Sequence, residues 1–297
     1  MFDEFKNAFQ KPNNAHVQLI FINVVVFLVL AVFYVFSTAT GFSDFFKLIH
    51  SQLAIPAPVF TFLTKPWTLI SYAFVHDLTG IFHILFNMLV FYWFGKLFIE
   101  YLGSDKLVSL YLLGAIAGGI SYLLVYNTIP FYQGRIPADG MVGASAAVYA
   151  VLVGTAVLLP DYTFFLLFLG PIKIKYIALF YIVLSFLGSV GGNAGGNVAH
   201  LGGALMGLIY IKQLQAGVNW GGWITATLDW LRGLFVTESK VKVTYRKAEP
   251  KPSRPPTSKA SKATQDEIDA ILDKISDRGY ESLSKEEKEK LFNASKK

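Results

Sequence analysis

The chain has 297 residues, of which 54% are hydrophobic and only 15% charged, and its mean hydropathy is +0.47; a soluble domain, with about a quarter of its residues charged, is excluded. The net charge of +6 accompanies positive residues crowded into the C-terminal tail, so it argues for no nucleic-acid partner. The absence of cysteine excludes a disulfide framework and cysteine catalysis.

In chain order, residues 1–16 are polar and read as a cytoplasmic N-terminus. Residues 17–38 form an apolar run long enough to cross a bilayer, and longer than the core of a signal peptide, although Ser37 and Ala39 would also fit a cleavage site. Residues 41–67 stay apolar but are broken by Pro56, Pro58 and Pro66, with Asp44, Lys47 and Lys65 among them, so they read as an interfacial or re-entrant loop with short amphipathic helices. Five more spans are expected at 81–101, 107–127, 141–159, 174–190 and 197–214. The expected architecture is therefore an all-α, polytopic membrane bundle of six helices over 17–215, with both termini on one side.

Basic residues in short connections mark the inner side. Lys6, Lys11, Lys106, Lys173, Lys175 and the basic tail fall on one face, against Lys47, Lys65 and Arg135 on the other. Both termini are thus expected in the cytoplasm, with the chain in a bacterial inner membrane. This parity has spans two, four and six run from outside to inside, so residues near their starts share a depth. His83 and Asn87 in span two, Ser145 in span four and His200 in span six are such residues.

Of five histidines, only His83 and His200 are expected within spans, where an ionisable group is costly and therefore a functional candidate. Ser145, about one turn into the expected span four, offers a hydroxyl that becomes a nucleophile if a base reaches it. His200 fits that base. His83 and Asn87, four residues apart, lie on one helical face and offer an imidazole and an amide donor to an oxyanion, with the Ser145 backbone N–H as a third. No aspartate lies at this depth, so a dyad is expected rather than a triad. Gly143, Ala147, Ala150 and Gly154 in span four, and Ala199, Gly203 and Gly207 in span six, form small-residue stripes that let two helices approach closely. Gly114 and Gly118 form a similar stripe in span three, read as packing only. Tyr149, one turn below Ser145, suits either stacking on an imidazole or an ordinary apolar contact. Serine in a membrane helix more commonly bonds its own backbone, so the combination carries the argument and not the hydroxyl alone.

That combination resembles a known family. HILFN at 83–87, GAS with Tyr149 around Ser145, and AHLGGALMG at 199–207 are similar to the motifs of rhomboid intramembrane serine proteases, over about 67–214. Glu100 and Gly103 fit the family's E-x-x-G. Ala146 departs from the GxSG pattern of many members. The resemblance implies a Ser145–His200 dyad, an oxyanion site lined by His83 and Asn87, Tyr149 stacked on His200, and transmembrane proteins as substrates, cut in the bilayer. It implies no cofactor and no metal. The glycine-rich 188–196 loop is expected to act as a mobile cap. The competing reading is a catalytically silent rhomboid-like protein that binds or escorts membrane clients. No HExxH supports a zinc protease, no paired aspartates a presenilin-like one, and no internal repeat a transporter.

The tail divides further. Residues 216–236, rich in tryptophan, read as an amphipathic segment lying on the inner surface, and 237–263 as a basic, disordered linker. Residues 264–297 read as a small helical element: Ile268, Ile271, Leu272 and Ile275 share a face, Gly279 ends the first helix, and Ser284 with Glu287 forms a capping box for the second. It resembles the C-terminal extension of rhomboids of Bacteroidetes, and its partner is not legible.

Overall fold

A computed structural model describes residues 11, 13–166, 170–235 and 265–295. Most of the N-terminal 1–16 segment and the 237–263 linker lie outside the described residues. The chain forms two compact units, Met1–Glu238 and Ser239–Lys297.

The first unit is built almost wholly of helices: α1 (Ala15–Thr40), α2 (Ser43–Leu53), α3 (Ile81–Leu102), α4 (Ser104–Thr128), α5 (Ser145–Leu158), α6 (Ile174–Gly188), α7 (Ala194–Gln215) and α8 (Gly222–Phe235). A small antiparallel hairpin, β1 (Thr163–Leu166) and β2 (Gly170–Lys173), joins α5 to α6. Among the described residues, four helices (α1, α3, α4 and α7) are long and apolar enough to cross a membrane, while α5 and α6 are shorter apolar helices. Side chains such as Leu28, Val32 and Phe36 on α1, Phe82 on α3 and Phe186 on α6 are exposed on the surface, a distribution that suits lipid rather than water.

Span four departs from the sequence reading. Residues 141–144 are not helical, and Ser145 is the first residue of α5 rather than one turn inside it. The reason lies in the backbone. Met141 exchanges two hydrogen bonds with Ile55, at 2.9 and 3.0 Å, and the Gly143 N–H donates to the Tyr72 carbonyl at 3.0 Å. Gly143 then turns the chain with φ of +139°, a conformation that a Cβ would strain. These bonds hold the strand-like stretch away from helix until residue 145. At 1.5 Å per residue the 14-residue α5 is only about 21 Å long, short of the ~30 Å apolar core of a bilayer.

The 41–80 region supplies the other half of that clamp. Its carbonyls are satisfied by side chains: Lys65 donates to Ser51 O at 2.6 Å, the Trp67 indole to Gln52 O at 2.8 Å and Ser71 to Leu53 O at 2.9 Å. A non-helical backbone is tolerated at membrane depth only when its polar groups find such partners. Ile55 and Ala57 are fully buried, and Tyr72 donates to Ala115 O at 2.6 Å, anchoring the segment to α4.

The centre of the unit is a close packing of α4, α5 and α7. A Cβ built on Gly203 would lie 2.0 Å from the Ala146 carbonyl oxygen, and one on Gly207 would lie 2.3 Å from that of Ala150. On the opposite side, a Cβ on Gly114 would meet the Ala150 methyl at 2.3 Å, and one on Gly118 would meet the Ala146 methyl at 2.4 Å. The α5 stripe facing α7 therefore runs through Ala146, Ala150 and Gly154. Gly143 lies before the helix, and Ala147 faces Gly114 instead. The methyl of Ala146 fits because residue 118 of α4 is glycine.

Two further expectations change. His16 lies inside α1, buried against Tyr92 with ring centroids 5.7 Å apart, so three histidines rather than two are in the membrane-length helices. The glycine-rich stretch is also shorter as a loop than expected: α6 runs to Gly188 and α7 already begins at Ala194. Residues 194–196 are helical and buried, and Gly195 packs so closely on Tyr122 that a Cβ would lie 2.7 Å from its ring.

The second unit contains α9 (Gln265–Arg278), closed by Gly279 at φ of +75°, and α10 (Lys285–Ser295). Ser284 and Glu287 bond reciprocally, Ser284 N to the Glu287 carboxylate at 2.7 Å and Glu287 N to Ser284 Oγ at 3.2 Å. Lys274 of α9 pairs with Glu287 at 2.9 Å, and Ile271 and Leu283 form its small buried core.

Candidate active site

Ser145 owes its position to the break before α5. A helix that begins there leaves its first N–H groups without intrahelical acceptors, pointing out of the helix beside the Ser145 side chain. The α5–α7 contact brings His200, in the second turn of α7, over the same point: His200 Nε2 lies 2.7 Å from Ser145 Oγ. Close backbone approach is what makes that distance reachable, since Gly203 lies three residues after His200 and sits on the carbonyl of Ala146.

Tyr149, one turn along α5, stacks on the His200 ring with centroids 4.4 Å apart and an interplanar angle of 15°. Of its two possible sequence readings, the stacked one describes this geometry. Its hydroxyl donates to the Tyr181 carbonyl at 3.3 Å.

His83 and Asn87 project from α3 into the same cavity, about 330 Å³, lined also by Phe82, Phe86, Ser145, Val148, Tyr149, Tyr181 and His200. A methyl placed on Gly143 would touch both His83 Cε1 at 3.3 Å and Ser145 Oγ at 3.4 Å, so the imidazole and the hydroxyl flank one small space. Asn87 is less free than its sequence position suggested. One of its amide hydrogens is donated to the His83 carbonyl at 2.9 Å, which leaves the second for anything in the cavity. His76, fully buried, stands behind His83 with ring centroids 5.6 Å apart. Ala199 and Gly203 serve packing around this point: Ala199 is buried and its carbonyl lies against Gly118, while Gly207 continues the contact toward Gly154.

Sequence reasoning missed Ser185. This residue of α6 is 1% exposed, and its Oγ lies 3.1 Å from His200 Nδ1 and 2.8 Å from the Tyr149 hydroxyl. A signal existed: span five runs opposite to its neighbours, so residues near its end share the depth of Ser145, and Ser185 is the lone serine there apart from Ser189 at the helix terminus.

A larger groove of about 600 Å³ runs between α5, α6 and α7, lined by residues such as Val153, Leu179, Leu205 and Lys175. It contains none of the histidines or Ser145, and its walls are almost wholly aliphatic. Among the described residues no group of three or more His, Asp or Glu side chains could hold a metal ion.

The model of the rhomboid domain matches residues 63–215, which carry every side chain of this cavity, and a family of unknown function, DUF6576, matches 258–297. The chain is 34% identical over 159 residues to RHOMBOID-like protein 12, mitochondrial, of Arabidopsis thaliana, covering 50% of this chain and 47% of that one. It is 33% identical over 147 residues to rhomboid protease GlpG of Haemophilus influenzae, covering 50% and 69%. It is 32% identical over 168 residues to Rhomboid protein 1, mitochondrial, of Saccharomyces cerevisiae, covering 53% and 44%. The chain thus spans about half the length of two of these relatives. With a rhomboid domain over more than half its length and a bundle of apolar helices to match, this integral membrane protein belongs to the rhomboid family.

Proposed function

We infer that this protein is an intramembrane serine endopeptidase that cleaves transmembrane proteins. The observation that carries the reading is the 2.7 Å approach of His200 Nε2 to Ser145 Oγ, with the imidazole stacked on Tyr149. In the first step His200 Nε2 takes the Ser145 proton as Oγ attacks the scissile carbonyl carbon. The resulting oxyanion meets the free N–H groups at the start of α5, the His83 ring and the second Asn87 amide hydrogen. His200 then gives its proton to the leaving amine nitrogen, the C–N bond breaks, and an ester of Ser145 remains. A water molecule, deprotonated by His200, attacks that ester, and the serine is restored as the acid departs. The name of the Haemophilus relative, a rhomboid protease, supports this reading.

The substrate reaches Ser145 sideways. The cavity is walled by Phe82 and Phe86 of α3 and by Tyr181 of α6, apolar side chains that suit a segment arriving from lipid. We place six spans in the bilayer, counting α5, which lies within the bundle, and α6, which lies at its edge; both are too short to cross the full apolar thickness. The basic residues favour both termini in the cytoplasm of a bacterial inner membrane. The Trp223 and Trp230 side chains of α8 are exposed, as an interfacial helix requires. Residues 237–263 fit a basic linker and 264–297 a separate small element.

The test uses a fluorophosphonate probe on the purified protein in detergent, beside Ser145→Ala and His200→Ala. Labelling of the wild type that disappears in both variants is the expected result. A folded wild type that stays unlabelled, under conditions where another rhomboid protease is labelled, would favour a silent protein that binds or escorts membrane clients.

A further inference from the structure

The hydrogen bonds around His200 form a continuous chain, and its direction follows from counting protons. Tyr149 Oη lies 3.3 Å from the Tyr181 carbonyl oxygen, which can only accept, so the phenol donates there. With its proton committed, Tyr149 can only accept from Ser185 Oγ, 2.8 Å away. A serine hydroxyl also has one proton, and Ser185 has now used it. Toward His200 Nδ1, 3.1 Å away, Ser185 can therefore only accept, which requires the proton to be on Nδ1. A neutral imidazole carries one N–H, so Nε2 is left with a lone pair, 2.7 Å from Ser145 Oγ.

We propose that Ser185, oriented by Tyr149, is a positioning residue that holds His200 as the Nδ1–H tautomer and so keeps Nε2 open to the Ser145 proton. This deepens the hydrolytic reading above and rests on it. In a serine–histidine–aspartate triad the aspartate does this work, and loss of the correct tautomer there is severe. Here a neutral pair of hydroxyls does it, at a depth where an ionised carboxylate would be costly. The arrangement also needs no rotation during the reaction: Ser185 Oγ accepts from Nδ1–H both before and after Nε2 gains a proton. If the chain ran the other way, with Ser185 donating to Nδ1, the proton would sit on Nε2 and Ser145 would face a donor. The burial of Ser185, at 1% exposed, keeps bulk water from scrambling the direction.

The test reads the tautomer directly, by nitrogen NMR of the full chain in detergent with ¹⁵N-labelled histidine at a pH where the rings are neutral. The His200 signals are assigned by their loss in His200→Ala. The wild type should show a protonated Nδ1 and a bare Nε2. Ser185→Ala should mix the two tautomers, and Ser185→Thr, which keeps the hydroxyl, should restore the wild-type state. Tyr149→Phe keeps the stacked ring but frees the Ser185 proton, so it should move His200 toward Nε2–H without any change at Ser185; it also carries the test should Ser185→Ala fail to fold. Fluorophosphonate labelling should slow roughly tenfold in Ser185→Ala, the worth of one neutral hydrogen bond, and recover in Ser185→Thr. An Nε2–H tautomer in the wild type, or one unmoved by both Ser185→Ala and Tyr149→Phe, would overturn the proposal. A wild type that is never labelled but whose tautomer responds as described would remove the hydrolytic reading and leave the relay standing.

Discussion

Gly203→Ala tests whether backbone approach between α5 and α7 sets the Ser145–His200 distance. The added Cβ would lie 2.0 Å from the Ala146 carbonyl oxygen and 2.8 Å from its carbon, whereas ordinary contact begins at 3.4 Å. The neighbour is backbone and cannot swing aside, so the helices must part by the difference, 3.4 − 2.0 = 1.4 Å. Ala146 follows Ser145 directly, and His200 lies one turn before Gly203, so the displacement falls on the site. The 2.7 Å Nε2–Oγ distance would stretch to about 4 Å, beyond a hydrogen bond. Overpacking costs about 1–3 kcal/mol, but alanine favours a helix over glycine by about 1 kcal/mol, so net destabilisation is about 0–2 kcal/mol. Reactivity falls much further, by roughly 10²-fold, because a misplacement of about 1 Å costs that much. The assay compares the fluorophosphonate labelling rate and the thermal midpoint in one detergent, with Gly192→Ala, where a Cβ meets nothing within 4 Å, as control. A Gly203→Ala protein that labels at the wild-type rate would refute the reasoning.

Three other outcomes follow from particular contacts. On a cleavable transmembrane substrate, His83→Ala and Asn87→Ala should each lower kcat by roughly 10²–10³-fold with little change in KM, as loss of an oxyanion donor does; a change confined to KM would assign them to substrate binding. Asn23 is fully buried in α1 and donates to Tyr111 Oη at 3.1 Å, while Tyr111 donates to Ala73 O at 2.8 Å. Asn23→Leu should therefore destabilise the protein by about 1–3 kcal/mol in detergent unfolding, and an unchanged midpoint would show that the α1–α4 contact is apolar only. Hydrogen bonds from Lys175 and Lys173 hold the Asp161 carboxyl down at about 2. A depressed carboxyl stabilises above its unfolded pKa, near ~3.9, and loses that effect as pH falls through the folded value. Hydrogen exchange of the 163–173 hairpin, corrected for intrinsic rates, should thus be flat from about pH 5 to 8 and rise in Asp161→Asn; a wild-type loss of protection in that window would contradict the pairing.

The family was legible because its motifs lie in short, local patterns: HILFN, GAS with a tyrosine one turn on, and AHLGGALMG need no long-range information. The positions of α1, α3, α4, α6 and α7 were legible for a similar reason, since a bilayer demands long apolar runs and each such run must bond its own backbone. The start of α5 was not. Its residues 141–144 are as apolar as the helix that follows, and only the partners Ile55 and Tyr72, far away in sequence, hold them out of helix. His16 was assigned just outside a helix for the same kind of reason, as its burial against Tyr92 depends on a neighbouring helix.

Composition and period are written into single segments: they give a mostly helical membrane chain, a common depth for His83, Asn87, Ser145 and His200, and the small residues at which helices can approach. Packing between helices settles which of those small residues meet and what closes around the imidazole. Ala146 rather than Gly143 faces Gly203, its methyl accepted by Gly118 from a third helix. Ser185 reaches His200 Nδ1 from α6, a helix whose own pattern shows only an apolar run with one serine. Helical period is a property of one segment, whereas a hydrogen bond across three helices depends on interaxial distance and rotation, which packing sets and no single segment records.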